Sequence, residues 1–276
     1  MSDEGAGGKL LAVTDAGSAD VRAFYEDRDE STRLSTAEGR VELLRTQQIL
    51  RGALSPGSQI LDVGGAHGVH AEWLEGDGHR VEVIDLVPRH VEAARARGIT
   101  AQQGDARDLP HPDDRFDAVL ILGPLYHLPE PSHRAKALAE AHRVLRPGGL
   151  LAVSAMNSLA VMLVYLREGP IDAAGRAVSA GILANCIRDS TADTPIFAFH
   201  TDPALRRELR AAGFGDIAVV GLEGPAWPLL DPAGPPDDPF IEQAVAIAAL
   251  ADRDDAFAAV SGHLLALARA EDRHPR

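Results

Sequence analysis

Residues 60–68, Ile-Leu-Asp-Val-Gly-Gly-Ala-His-Gly, decide the fold. An apolar run that ends in an acidic residue and breaks into glycines reads as a buried strand, 59–63, turning tightly into a helix over 68–75. Working outward, the spacing predicts a second strand at 80–85 ending on Asp85, a helix at 89–97 and a short third strand at 100–103. Phe-Asp-Ala-Val-Leu-Ile-Leu at 116–122 is a fourth strand and 131–144 a long helix. Arg146-Pro147-Gly148-Gly149 then turns into a fifth strand at 150–155. Short apolar strands alternating with helices require a parallel sheet covered on both faces.

On the N-terminal side, residues 1–17 are small and polar and are expected to be disordered. A helical pattern follows, with Val21, Phe24 and Tyr25 on one face and Val41, Leu44, Ile49 and Leu50 on another, stopped by Ser55-Pro56-Gly57. After Met156 the alternation breaks, and 157–199 reads as one or two helices and a loop without a strand. A helix at 202–212, a strand at 216–221, a Pro/Asp-rich loop at 228–239, a helix at 240–251 and a last strand at 263–270 complete the chain. The expected division is a helical lid at 18–53, a ligand-binding core at 54–156, a substrate-covering insertion at 157–199 and a completion of the core at 200–276.

Composition narrows the partners. A formal charge of −14 over 276 residues gives no basic footprint for nucleic acid or an anionic membrane. The single cysteine, Cys186, rules out an internal disulfide framework and suits a reducing interior. The first residues lack a basic segment followed by an apolar one, and no apolar run reaches the roughly 18 residues that cross a bilayer. A soluble, cytoplasmic protein is the expectation, and a homodimer stays open.

The glycine loop lets the backbone approach a ligand that a β-carbon would exclude. Pyrophosphate-binding folds place glycines here too. Asp62 at the start of the loop, however, suits a cationic group such as an amino-acid ammonium, and Ala66 spoils a clean GxGxxG. Asp85 at a strand end is placed to accept from a ribose diol, and Asp105 in Gly104-Asp105-Ala106 to accept from an adenine amino group.

DVGGAHG, the strand-end Asp85, GDARDLP, FDAVLILGPLYHL and HRVLRPGGLLAVS, in this order and spacing, resemble the class I S-adenosylmethionine-dependent methyltransferases over about residues 54–155. GPLYHL (123–128) and EGPAW (223–227) resemble a bacterial subgroup acting on small molecules, as in secondary metabolism. The resemblance implies an α/β, Rossmann-like, seven-stranded and mostly parallel sheet whose last strand is antiparallel, with 216–221 and 263–270 as strands six and seven. It implies S-adenosylmethionine as cofactor, with S-adenosylhomocysteine as product. Asp62, Gly64, Gly65, Ala66 and Gly68 would shape the methionine side, Asp85 would hold the ribose and Leu86 would lie against adenine. Gly104, Asp105 and Ala106 would meet the adenine edge, and Leu122 would offer it a carbonyl.

The acceptor side is read from residues near the carboxyl ends of the strands, where ligands of open α/β sheets sit. His127 is the candidate base or substrate-orienting group, with Tyr126 lining the pocket and His200 as second choice. Glu223 and Trp227 could grip an apolar or cationic substrate, and Met156 enters the insertion that would roof the acceptor together with Asn157, Met162, Tyr165, Ile182 and Asn185. Tyr25 and Arg45 in the lid are candidate cofactor contacts, His67 is cofactor-side and His263 structural. The histidines lack metal-ligand spacing, so no metal is expected. A cofactor-binding regulator without turnover and an NAD(P)-dependent oxidoreductase are the alternatives, the latter disfavoured by Asp62 and Ala66.

Overall fold

The computed structural model describes residues 16–26, 30–168, 170–189, 195–252 and 254–272. The expectation of disorder over 1–17 falls up to residue 15 outside the described residues, and Ala16 opens a helix. The lid comprises α1 (Ala16–Glu26), a 3₁₀ turn (Glu30–Ser35) and α2 (Ala37–Ala53). Thr36 caps α2 by accepting from Gly39 N at 3.1 Å. The core alternates β1 (Gln59–Val63), α3 (Val69–Gly76), β2 (Arg80–Asp85), α4 (Pro88–Ala96), β3 (Thr100–Gln103), β4 (Phe116–Ile121), α5 (Pro131–Val144) and β5 (Leu145–Met156).

Beyond β5 come α6 (Val161–Glu168), α7 (Ala173–Asn185) and a two-residue antiparallel pair, β6 (Ile187–Arg188) with β7 (Phe197–Ala198). That hairpin corrects the strandless reading of 157–199; two-residue strands are too short to show a period. α8 (Asp202–Ala211), β8 (Phe214–Gly221), α9 (Phe240–Ala251) and β9 (His263–Ala270) close the chain.

The main sheet has seven strands in the order β3-β2-β1-β4-β5-β9-β8, with β9 antiparallel to both neighbours. Alternation sorts its side chains into two cores. Leu61, Val63, Val119, Ile121, Leu151 and Val153 meet Leu138, Ala141, Leu205 and Leu209 on one face. Ile60, Ala118, Leu120, Leu150 and Ala152 meet Leu50, Ala71, Leu74, Val91 and Ala94 on the other. Burial on both faces explains why these strands read as continuous apolar runs, each full-sized side chain contributing about 1.5–3 kcal/mol. A third cluster, including Ala37, Val41, Trp227, Leu230, Ile241 and Ala244, fastens the lid to α9. None of the described helices is long and apolar enough to cross a membrane.

Candidate active site

One cavity of about 350 Å³ opens at the carboxyl ends of β1, β2, β4 and β5. Its floor is the loop after β1. Gly64 lies at φ 74°, and a Cβ there would come within 2.5 Å of Pro124 Cγ; Gly68, at φ 78°, starts α3 where a Cβ would meet Ile99 Cδ1 at 2.3 Å. Ala66 occupies the same left-handed region at φ 48°. Asp85 ties the loop to the next crossover: Oδ2 accepts from Ala66 N at 2.9 Å, while Oδ1 accepts from Val87 N at 2.9 Å and pairs with His90 Nδ1 at 3.1 Å. Oδ2 keeps a lone pair for a further donor.

Asp62 is 1% exposed, and its Oδ2 has no hydrogen-bond partner among the described residues. Burial, with Asp85 adding repulsion, pushes its carboxyl up to about 7. A buried carboxylate beside a cavity, unpaired on one oxygen, fits a cationic ligand and repels a pyrophosphate. Gly65, Leu86, Gly104, Asp105, Ala106 and Leu122 also line the cavity. Arg107 engages both oxygens of Asp105, at 3.0 Å to Oδ1 and 2.7 Å to Oδ2, so this carboxylate is held by its own loop.

Across from the floor, Tyr25, Tyr126, His127, Met156 and His263 line the cavity with Phe24 and Phe197. The Tyr25 hydroxyl and His127 Nε2 share a 2.7 Å hydrogen bond, and His127 Nδ1 is buried without a partner among the described residues. Burial lowers the His127 imidazole to about 4, against a weaker pull from Asp85, so the ring is neutral at physiological pH. His263 is the opposite case. Burial alone would lower it, but Glu223, through charge and a hydrogen bond to Nδ1, with Glu42 behind, raises it to about 9.

Five of the expected site residues lie outside the cavity wall: Gly68 at the start of α3, Arg45, His200, Glu223 and Trp227. Arg45, 1% exposed, donates to both Asp252 oxygens at 2.7 and 2.6 Å, to Gln48 and to the Leu222 carbonyl, so its donors are spent within the fold rather than on a cofactor. His200 is buried, with Nε2 3.2 Å from Glu208 and its backbone bridging to Met156 and Ser158. Trp227 packs in the lid cluster and donates to the Val260 carbonyl at 2.7 Å. Glu223 reaches the cavity only through His263.

Among the described residues of 157–199, Phe197 alone lines the cavity, where a roof from the insertion's helices was expected. Asn157 spends its amide on the carbonyls of Ala258, Ala259 and Ser261. Ile182 is buried, Met162 and Asn185 are exposed, and the Tyr165 side chain lies outside the described residues. Sequence reasoning missed Phe24, Arg33, His70, His90 and Phe197 as lining residues. Phe197, in the apolar-alternating Phe-Ala-Phe before His200, carried the one readable signal. His67 lines the floor, its ring 4.7 Å from that of His90.

Among the described residues, Glu42, Glu223 and His263 bring ligand atoms within 4.8 Å of one another. Their charges are already matched: Arg33 bridges both Glu42 oxygens at 2.6 and 3.0 Å, and His263 holds Glu223. Glu42 is thereby held at about 2, although burial opposes it.

A parallel sheet with one reversed strand, a glycine turn after β1 and carboxylates at the ends of β1 and β2 define a nucleotide-cofactor enzyme of the methyl-transferring kind. The family described as methyltransferase domain matches residues 61–153. The chain is 30% identical over 197 residues to the demethylmenaquinone methyltransferase of Clavibacter sepedonicus, covering 68% of this chain and 78% of that one. It is 36% identical over 98 residues to a chloroplastic 2-methyl-6-phytyl-1,4-hydroquinone methyltransferase of rice, a match spanning 33% of this chain and about a quarter (27%) of the relative. Among solved structures, the 1,6-didemethyltoxoflavin-N1-methyltransferase of Burkholderia thailandensis, with S-adenosylhomocysteine bound, shares the fold at a TM-score of 0.54 and 21% identity, over 93% of this chain and 87% of that one. The chain belongs to the class I S-adenosylmethionine-dependent methyltransferases.

Proposed function

We propose that the protein transfers the methyl group of S-adenosylmethionine to a small, largely apolar or aromatic acceptor in the cytoplasm. One observation carries the reading. A single cavity joins a glycine-loop floor holding the buried Asp62 carboxyl, its Oδ2 without a partner among the described residues, to a wall of Phe24, Tyr25, Tyr126, Met156 and Phe197. Asp62 would take the ammonium of the cofactor, Asp85 the ribose, Leu86 one face of the adenine, and Asp105, Ala106 and the Leu122 carbonyl its edge. When bound, the cofactor supplies a methyl group on a positively charged sulfur, already activated towards nucleophiles.

The chain's own task is then alignment, and holding two reactants in line is worth about 7–11 kcal/mol. His127 serves as an orienting group: neutral and braced by Tyr25, it offers a hydrogen bond rather than a charge. The hydroquinone and demethylmenaquinone named for the two relatives support a small organic acceptor. The charge of −14 weighs against RNA.

Calorimetry with S-adenosylmethionine and S-adenosylhomocysteine tests the cofactor, and methyl-labelled cofactor with a metabolite extract tests the acceptor. Binding of both ligands and label in small molecules are expected. Binding of neither would overturn the reading, label confined to RNA or protein would overturn the acceptor class, and binding without any transfer would favour the regulator.

A further inference from the structure

Where β9 begins, a buried relay ends on the cavity wall. Ser261 Oγ accepts from the backbone N–H groups of Glu223 (3.0 Å) and Gly224 (3.2 Å), so its own hydrogen is directed to Glu223 Oε2 at 2.7 Å. The same carboxylate oxygen accepts from His263 N at 2.9 Å, and Oε1 binds His263 Nδ1. Glu223, 3% exposed, is therefore fixed as an acceptor, and Nδ1 must carry a hydrogen. Nε2 is the ring nitrogen this relay leaves over, and His263 lines the cavity with 26% of its side chain accessible. From α2 the facing group is Glu42, bridged by Arg33 of the 3₁₀ turn with His70 behind it; from the turn after β4 it is Tyr126, its ring 6.5 Å away.

We propose that His263, oriented by Glu223, donates from Nε2 to an oxyanion on the acceptor, so that the acceptors of this protein carry a phenol- or enol-like hydroxyl bound as its anion. This rests on the methyltransferase reading of the same cavity. In forming the complex the acceptor's O–H bond breaks, its electron pair stays on oxygen and, because Nε2 already carries a proton at neutral pH, the acceptor's proton leaves to solvent. An acceptor already ionised in solution forms the same complex with no proton released.

Charge singles out His263 among the histidines that line the cavity. Glu223 raises its ring to about 9, so it is an imidazolium at physiological pH and meets an oxyanion with opposite charge. His127, lowered to about 4 by burial, is neutral there and offers none. A buried carboxylate thus sets the tautomer and charge of the ring, with Glu223 as the positioning residue.

The test uses 4-nitrophenol, whose anion is yellow, titrated into the S-adenosylhomocysteine complex in chelator-treated buffer at a pH below the probe's own pKa. The bound probe is expected to be yellow and to bind about tenfold more tightly than nitrobenzene. His263→Gln should bind it colourless and at the nitrobenzene level, and Glu223→Gln should lose most of the colour, while both variants still bind S-adenosylhomocysteine, which shows that they are folded. A colourless bound probe in the unaltered protein, colour that survives His263→Gln, colour that returns only with added divalent metal, or no probe binding by a protein that binds S-adenosylhomocysteine would each overturn the proposal. Failure of the unaltered protein to bind S-adenosylhomocysteine would instead overturn the methyltransferase reading.

Discussion

The floor of the cavity and its opposite wall are built by different means. The floor comes from turns that leave the sheet in sequence order, so Asp62, Asp85 and Asp105 are set by the strands they terminate. The opposite wall is assembled from α1, the 3₁₀ turn, β7 and the start of β9, segments up to 242 positions apart (Val21 to His263), of which β9 alone belongs to the main sheet. On the proposed reading the floor makes a fixed demand, one cation and one diol, while most of the wall can be re-cut by single substitutions without touching the sheet. The histidines show the same contrast, since His127 is stripped of charge by burial and His263 keeps it through Glu223.

Asp85→Ala should break the floor most severely. It removes the acceptor for Ala66 N, Val87 N and His90 as well as the proposed ribose contact, and S-adenosylhomocysteine affinity should fall by about a hundredfold or more, ~3 kcal/mol, in calorimetry. Arg45→Ala makes the complementary break. Loss of the guanidinium from Asp252 and the Leu222 carbonyl should cost about 3 kcal/mol of unfolding free energy by denaturant titration, with cofactor affinity of the folded protein unchanged. A fall in affinity without loss of stability would return Arg45 to the cofactor.

Asp62 sharpens the comparison through pH. Its folded pKa, about 7, lies above the ordinary carboxylate value of 3.8, so the ligand-free fold loses stability as pH rises from about 4 to 7. A cationic ligand needs the carboxylate form. S-adenosylhomocysteine affinity should therefore climb by up to about tenfold per pH unit towards 7 and then level, with a proton released at pH 6 in paired-buffer calorimetry. Asp62→Asn should flatten that slope. The smallest effect is expected at Ala66, whose φ of 48° strains a residue with a β-carbon. Ala66→Gly should raise stability by about 0.5–1 kcal/mol in thermal unfolding and leave the opposite wall as it is.

The same division explains what could be read in advance. Strand ends, glycines and carboxylates are local signals from which the parallel sheet follows, while the reversed strand and the finer lining of the floor are what the family resemblance implies. The opposite wall was opaque because its polar residues are satisfied at long range. Arg45 finds Asp252 207 positions away and Trp227 finds the Val260 carbonyl 33 positions away, so each looked available in sequence while committed in the fold. His263 was hidden in the reverse sense. As the first residue of an apolar strand it reads as structural, and only the turn carrying Glu223 makes it a charged group facing a cavity.

The reversed strand has a practical consequence. Because β9 runs against its neighbours, with His263 opposite Met156 and Arg269 opposite Leu150, the strand begins at the cavity and travels away from it. A fluorophore or surface tether placed at the exposed Arg269 would sit roughly 20 Å from His263 along the strand. The protein can thus be anchored by that end of the sheet with its mouth facing free solution, an orientation that a wholly parallel sheet, with every strand ending at the ligand, would deny to its last strand.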